Sequence, residues 1–176
     1  MARTRAAVID GATRAVEKHG ARRTTMADIA NLAGIAKGTL YNHFRAKEAV
    51  FSAAIDAGVR SLTDECVTVA TDDLADALAL AAERLSTQPA LCRLAMDEPS
   101  AIASMTAIDD SEPWVAARAS IKAVLDAGGR EASPATVEVV LRWLVSFMGT
   151  PGRDIEAQAT VIAAGLPVLS QPQLQF

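Results

Sequence analysis

Apolar residues recur every three or four positions along most of the 176-residue chain, which is the period of an α-helix. Gly and Pro residues interrupt this pattern at intervals and divide the chain into nine or so predicted helices, without a strand signal between them. The longest helix is predicted to begin at Ala46 or Lys47 and to end at Val69 or Ala70, with an apolar residue on one face at every turn. The expected fold class is all-α.

The segment from Thr24 to Glu48 predicts two short helices joined by a tight turn. Thr25 and Asp28 have the spacing of a helix start, in which the Thr hydroxyl accepts a hydrogen bond from an unpaired amide. Gly34 can end that helix in the left-handed conformation without a steric penalty. A second short helix is expected from about Ala36 to His43, and its Leu40 lies on the inward face.

The outward face of this second short helix carries no acidic residue. It combines small, neutral and basic side chains, namely Lys37, Gly38, Thr39, Tyr41, Asn42 and His43. DNA phosphates and groove edges require such a surface, because cations and neutral donors bind phosphate oxygens while carboxylates repel them. Periodicity alone leaves open an ordinary helical hairpin with a polar outer face.

The same segment resembles the DNA-binding signature of the TetR family of bacterial regulators. The matching positions are Thr25, Ile29-Ala30, Ala33-Gly34-Ile35, Gly38, Leu40-Tyr41, His43-Phe44 and Lys47-Glu48. The resemblance covers about the first sixty residues. It implies an N-terminal three-helix helix-turn-helix domain, joined by a long linker helix to a helical ligand-binding and dimerisation domain. Ala36 and Ala46 replace polar residues that are frequent in the family, and each loses an N-cap of about 1 kcal/mol.

The resemblance and the outward face together suggest which residues contact DNA. Phosphate contacts are expected from Lys37, Tyr41, His43 and Lys47, and base contacts from Thr39 and Asn42. Thr25 and Gly38 are expected to allow close approach of the backbone.

The charge distribution also distinguishes the two ends of the chain. The formal net charge of −4 divides into +5 over residues 1–48 and −9 over residues 49–176. A basic front and an acidic remainder favour a DNA-contacting domain that carries a body held away from DNA. We therefore expect a DNA-binding domain at 1–48, a regulatory and dimerisation domain at 49–170, and a flexible tail at 171–176.

Family members usually carry an effector pocket and a two-fold dimer interface in the body. Bulky or polarisable residues that can line such a pocket are Leu62, Cys66, Met96, Met105, Trp114, Arg118, Trp143 and Phe147, although each can also be plain core. The low aromatic content favours an aliphatic or acyl-type ligand. The last two long helices resemble the family's dimerisation pair and supply the interface residues Val137, Val140, Leu141, Leu144, Ile155, Ala159, Ile162 and Leu166. A monomer core holding both helices is the alternative.

Other functional classes have little support in the sequence. Cys66 and Cys92 lack CxxC spacing and are expected to be free thiols, and the two histidines have no metal-ligand or catalytic motif around them. We expect no catalysis, metal or cofactor. Without a long apolar run or a signal peptide, we expect a cytoplasmic protein.

The most direct interpretation is a ligand-responsive bacterial transcriptional regulator. It is expected to be a repressor that binds a palindromic operator as a homodimer and is released by a small hydrophobic effector. The alternatives are a helical protein-interaction module and a regulator that needs no effector.

Overall fold

The computed structural model describes residues 2–169, and the predicted tail at 171–176 lies outside that range. Within residues 2–169 the chain forms ten α-helices, which confirms the all-α prediction. Their bounds are α1 Ala2–His19, α2 Met26–Leu32, α3 Lys37–His43, α4 Lys47–Ala70, α5 Leu74–Thr87, α6 Pro89–Asp97, α7 Pro99–Met105, α8 Glu112–Ala127, α9 Pro134–Val145 and α10 Ile155–Gly165. No helix in this range is both long and apolar enough to cross a membrane.

The helix starts follow the local sequence signals. The Thr25 hydroxyl accepts a hydrogen bond from the amide of Asp28 at 3.2 Å, and the Asp28 carboxylate accepts one from the amide of Thr25 at 2.9 Å. This reciprocal pair is the predicted start of α2. Helices α3 and α4 begin after Ala36 and Ala46, and neither start has a side-chain cap.

The first four helices share an N-terminal core. Its buried residues are Val8, Ala12, Ala15, Ile29, Ala30, Leu40, Phe44, Val50 and Ala53. On α1 the buried apolar residues are Val8, Ala12 and Ala15, and Ile9 is partly buried against the same core. Helix α1 approaches α2 closely at Gly11, where an added Cβ would lie 2.7 Å from the amide nitrogen of Ala33.

A second, C-terminal core lies among α4, α5, α8, α9 and α10. Alanines of α5 let the neighbouring helices approach closely, and α5 packs most extensively against α10 and α4. Five of the residues expected at a dimer interface are buried here within a single chain, namely Val137, Val140, Leu141, Leu144 and Ala159. Their side chains pack mainly within this core, and their contribution to a dimer interface stays a prediction.

Two connections join the cores. Helix α4 contributes Val50 and Ala53 to the N-terminal core and Cys66 and Ala70 to the C-terminal core. At the corner between α6 and α7, the Glu98 carboxylate accepts a hydrogen bond from the amide of Arg22 at 3.0 Å. Because the N-terminal core extends past residue 48, the division at that residue stays a prediction.

Candidate functional site

The outer face of helix α3 is the surface that the sequence predicted to contact DNA. Leu40 is fully buried on its inner side, and Phe44 follows on the same side with 7% of its surface exposed. On the outer side Lys37, Gly38, Asn42 and Tyr41 are exposed, while Thr39 and His43 are half-buried. All six predicted contact residues of α3 therefore have some surface open to solvent, and α3 itself contains no carboxylate.

Gly38 and Tyr41 shape this surface. An added Cβ at Gly38 would meet no atom of the described chain within 4 Å, so packing inside the protein does not require glycine there. Its absent side chain matters only to something that approaches from outside. The Lys37 ammonium lies 5.9 Å from the centre of the Tyr41 ring, a distance at which a cation is attracted by an aromatic face.

Lys47 has an internal role that the sequence did not reveal. Its ammonium donates hydrogen bonds to the carbonyl oxygens of Ala21 and Arg22, at 3.1 and 3.3 Å. It also lies 5.6 Å from the centre of the Phe51 ring. Lys47 therefore holds the loop between α1 and α2 against the start of α4, and its expected phosphate contact stays a prediction.

Thr25 is likewise occupied within the chain. Its hydroxyl donates to the Asp28 carboxylate at 2.6 Å, in addition to the capping bonds. The side-chain and backbone hydrogen bonds from Thr25 lower the pKa of Asp28, because they stabilise its ionised form. Thr25 is exposed, and its side chain caps the start of α2.

The basic residues near these helices differ in their partners. The guanidinium of Arg14 donates to the carbonyl of Leu32 at 2.6 Å, and that of Arg23 donates to the carbonyl of His19 at 3.0 Å. Arg22 and Arg45 are exposed and have no ion pair among the described residues. The latter two remain available to an anionic partner.

A cleft of about 600 Å³ lies in the body between α4, α5, α8 and α9. This volume is within the range of about 300–1,000 Å³ found for small-molecule pockets. Four of the predicted pocket residues line it, namely Leu62, Cys66, Met105 and Trp114. Burial raises the pKa of the Cys66 thiol to about 11, so Cys66 is a neutral, apolar part of the lining.

The other four predicted pocket residues lie elsewhere. Met96 is 79% exposed on α6, and Arg118 binds the Glu138 carboxylate at 3.3 Å on the outside of α8. Trp143 donates its indole N–H to the side-chain oxygen of Gln158 at 2.9 Å and meets the buried Phe147 edge to face, with ring centres 5.1 Å apart. For Arg118 and Trp143, helical spacing alone does not fix the rotation of α8 and α9, so the sequence could not tell which side of these helices lines the cleft.

Sequence reasoning missed two acidic residues of the cleft. Glu48 and Asp56 line it from α4 and are exposed at its rim. Glu48, Ser52 and Asp56 follow one another at four-residue spacing, next to the apolar stripe of α4. That spacing was the available signal, since such residues share one face of a helix.

The N-terminal helices are similar in sequence to known regulatory proteins. Residues 8–54 match the family described as bacterial regulatory proteins, tetR family. The chain is 49% identical over 53 residues to the HTH-type transcriptional regulator TtgR of Pseudomonas putida, and equally to the probable HTH-type transcriptional regulator ArpR of the same species. The matched segment covers 30% of this chain and spans 25% of those relatives.

Solved structures share the whole fold. The TetR family repressor AlkX from a Dietzia species superposes with a TM-score of 0.66 over 91% of this chain and 93% of AlkX, at 22% identity. The regulator FadR from Bacillus subtilis, in complex with stearoyl-CoA, gives 0.54 over 90% and 95%, at 17% identity. The molecule is thus an all-helical protein with an N-terminal helix-turn-helix. Its N-terminal segment, residues 8–54, is of the type found in bacterial regulatory proteins of the tetR family.

Proposed function

We propose that the protein is a homodimeric transcriptional repressor that binds a palindromic operator and leaves it when a small hydrophobic molecule occupies the cleft. The outer face of α3 is the observation that carries this proposal. It is exposed, free of carboxylates and part of a segment with a net charge of +5 over residues 1–48. Such a surface attracts the phosphate backbone and reaches a major groove without repulsion.

Each exposed residue of α3 has a proposed part in DNA binding. Lys37, Tyr41 and His43 contact phosphates, which position the protein without reading sequence. Thr39 and Asn42 contact base edges, and Gly38 lets the helix approach. Thr25 contributes through the capped start of α2, and Lys47 through the loop that it anchors.

A two-fold dimer would place two copies of α3 on the two halves of a palindrome. With five of the expected interface residues buried in the core, the proposed surface is formed by outward residues of α9 and α10. Val139 and Val161 are 57% and 73% exposed there, and the partly exposed Ile155, Ile162 and Leu166 of the original expectation can contribute. Apolar side chains on the outside of already apolar helices favour burial against another chain.

The dimer is tested by sedimentation velocity on the Val161→Glu variant. The expected result is a dimer for the original protein and dissociation for the variant, because a carboxylate would be buried at the interface. Val115→Glu is the matched control, since Val115 is 56% exposed on α8 and lies outside the proposed surface. A monomeric original protein, or equal dissociation by both variants, contradicts the proposed interface.

Effector release requires a physical connection between the cleft and the DNA-contacting helices. Phe51 lines the cleft and also lies against the Lys47 ammonium, which holds the carbonyls of Ala21 and Arg22. A ligand that moves the Phe51 ring would therefore disturb the loop before α2. The FadR structure, which has the same fold and holds stearoyl-CoA, supports a ligand role for the body.

The deciding experiment measures binding of the purified protein to the DNA that flanks its own gene, by fluorescence anisotropy at low and moderate salt. Tight binding that weakens steeply with salt is expected, because each phosphate contact releases counterions. Tyr41→Ala should weaken binding to every DNA sequence, while Asn42→Ala should change which operator variants are preferred. Salt-insensitive binding, or binding unchanged by Tyr41→Ala, on fragments selected from the whole genome would contradict the proposal.

A further inference from the structure

The rim of the cleft carries two carboxylates that have no basic residue among the other described lining residues. Glu48 and Asp56 are the charged residues among those that line it in the described part of the chain, and no Lys, Arg or His lines it there. Neither carboxylate forms an ion pair within residues 2–169. A ligand in the cleft would therefore meet two acids and no base.

The interior of the cleft is apolar. Cys66, Leu78, Val124 and Leu141 are buried at its floor, and the surfaces that face the cavity are overwhelmingly carbon. A ligand would gain by burying a hydrophobic body here, because its apolar surface would be removed from water. The floor contributes no charged partner for a polar group, so any charged group of the ligand must stay at the rim.

Aromatic faces lie beside the acids. Phe51 lines the same stretch of α4 as Glu48, and Trp114 lines the opposite wall from α8. Glu48 and Asp56 are eight residues apart, which corresponds to about 12 Å along a helix. A cation near Ser52 would thus lie between both carboxylates. The Trp114 ring can attract it through its negative face, whereas the Phe51 ring already has the Lys47 ammonium 5.6 Å from its centre.

We propose that the cleft binds a hydrophobic organic cation, with an apolar body against the floor and a protonated amine or quaternary ammonium at the rim. This inference rests on the proposed ligand role of the cleft and assigns the chemical class of that ligand. A carboxylate or phosphate on the same body would be repelled by Glu48 and Asp56. The expected acyl-type effector is compatible with the floor, but its anionic forms are not compatible with the rim.

The test compares three molecules with the same decyl chain: decyltrimethylammonium, decanol and decanoate. Each is titrated below its micelle concentration while the tryptophan fluorescence is recorded, because Trp114 lines the cleft. Decyltrimethylammonium should bind about tenfold more tightly than decanol, from the combined ion-pair and aromatic contributions, and added salt should narrow that difference. Decanoate should bind more weakly than decanol.

Two variants assign the preference to the rim. Glu48→Gln with Asp56→Asn should bring the affinity for decyltrimethylammonium close to that for decanol, while decanol binding stays within about twofold. Asp64→Asn is the matched control, because Asp64 is an exposed acid on the same helix outside the cleft. It should preserve the cation preference.

Several results would overturn the assignment. They are decanoate binding as tightly as decyltrimethylammonium, a cation preference that survives the double variant, and no binding by any of the three molecules. Operator binding, measured in parallel, distinguishes this inference from the proposed function. If decanol and decanoate release DNA and decyltrimethylammonium does not bind more tightly than they do, the proposed ligand class is wrong but the release mechanism stands. If decyltrimethylammonium binds most tightly and no molecule releases DNA, only the release mechanism is wrong.

Discussion

Replacing Lys47 by methionine tests whether this lysine anchors the loop between α1 and α2 or binds a DNA phosphate. Methionine retains an unbranched apolar stem that can pack against Phe51, but it removes the ammonium. The loss would leave the carbonyls of Ala21 and Arg22 without the donor that now lies 3.1 and 3.3 Å away. If Lys47 anchors the loop, the main consequence is lost stability of the N-terminal helices.

The expected magnitude follows from these contacts. A hydrogen bond from a charged group contributes about 1.5–3 kcal/mol when it is buried, and less when it is partly exposed. Lys47 is half-buried, so the loss of both bonds should cost about 2 kcal/mol. For a chain of this size that corresponds to a fall of about 4–8 °C in Tm.

Circular dichroism on heating and operator binding across a salt series together test this reasoning. Lys47→Met should lower Tm and weaken binding while the slope of affinity against salt stays nearly constant. Lys37→Met is the matched control: its ammonium is exposed on α3, so Tm should hold and the slope should fall by about 0.9, the value for one lost phosphate contact. An unchanged Tm with a reduced slope for Lys47→Met would refute the anchoring role.

Three further predictions concern caps, acid stability and thiol reactivity. Ala36→Ser and Ala46→Ser should each raise the free energy of unfolding by about 0.5–1 kcal/mol, because the starts of α3 and α4 lack a side-chain cap. Urea unfolding measures this change, and an unchanged urea midpoint would contradict it. The pKa of Asp28 is lowered in the folded protein, so its ionised carboxylate stabilises the fold above the unfolded-state pKa of about 3.9. That stabilisation is lost as pH falls through the lower folded-state pKa. The Tm of the original protein should therefore exceed that of Asp28→Asn by less at pH 3 than at pH 6, and a constant difference would contradict this. With a pKa of about 11, Cys66 at the floor of the cleft should react with a thiol reagent at pH 8 much more slowly in the folded Cys92→Ser variant than in the unfolded one. Equal rates for the two states would contradict this.

The N-terminal helices could be predicted closely because their signals are local. The capping pair of Thr25 and Asp28, the turn at Gly34 and the burial of Leu40 each depend on residues within one or two turns. The bounds of α4 were also predicted to within a residue, since its periodicity is uninterrupted. What could not be predicted there was the loop contact of Lys47, which joins residues 25 and 26 positions apart.

The body was predicted less well because its arrangement depends on packing between helices distant in sequence. The apolar stripe of α9 identified residues that are buried, but it did not determine whether Val140 and Leu144 meet the same chain or a partner. In the structure they pack in the monomer core, and the more exposed Val139 points outward. Similarly, Trp114 and Trp143 looked equivalent in sequence, and only the rotation of α8 and α9 places the first in the cleft and the second beside Gln158.

Under the proposed function, the first turns of α4 explain how a ligand in the cleft can act on the N-terminal helices over a short distance. Val50 and Ala53 face the N-terminal core, while Phe51, Ser52 and Ile55 line the cleft from the same three turns. The cleft and the N-terminal core are thus separated by the thickness of one helix, about 10 Å with its side chains. Under the proposed function, a ligand needs no long chain of contacts: it acts on α4 directly, and the rest of the body can vary as long as it holds a ligand against that helix.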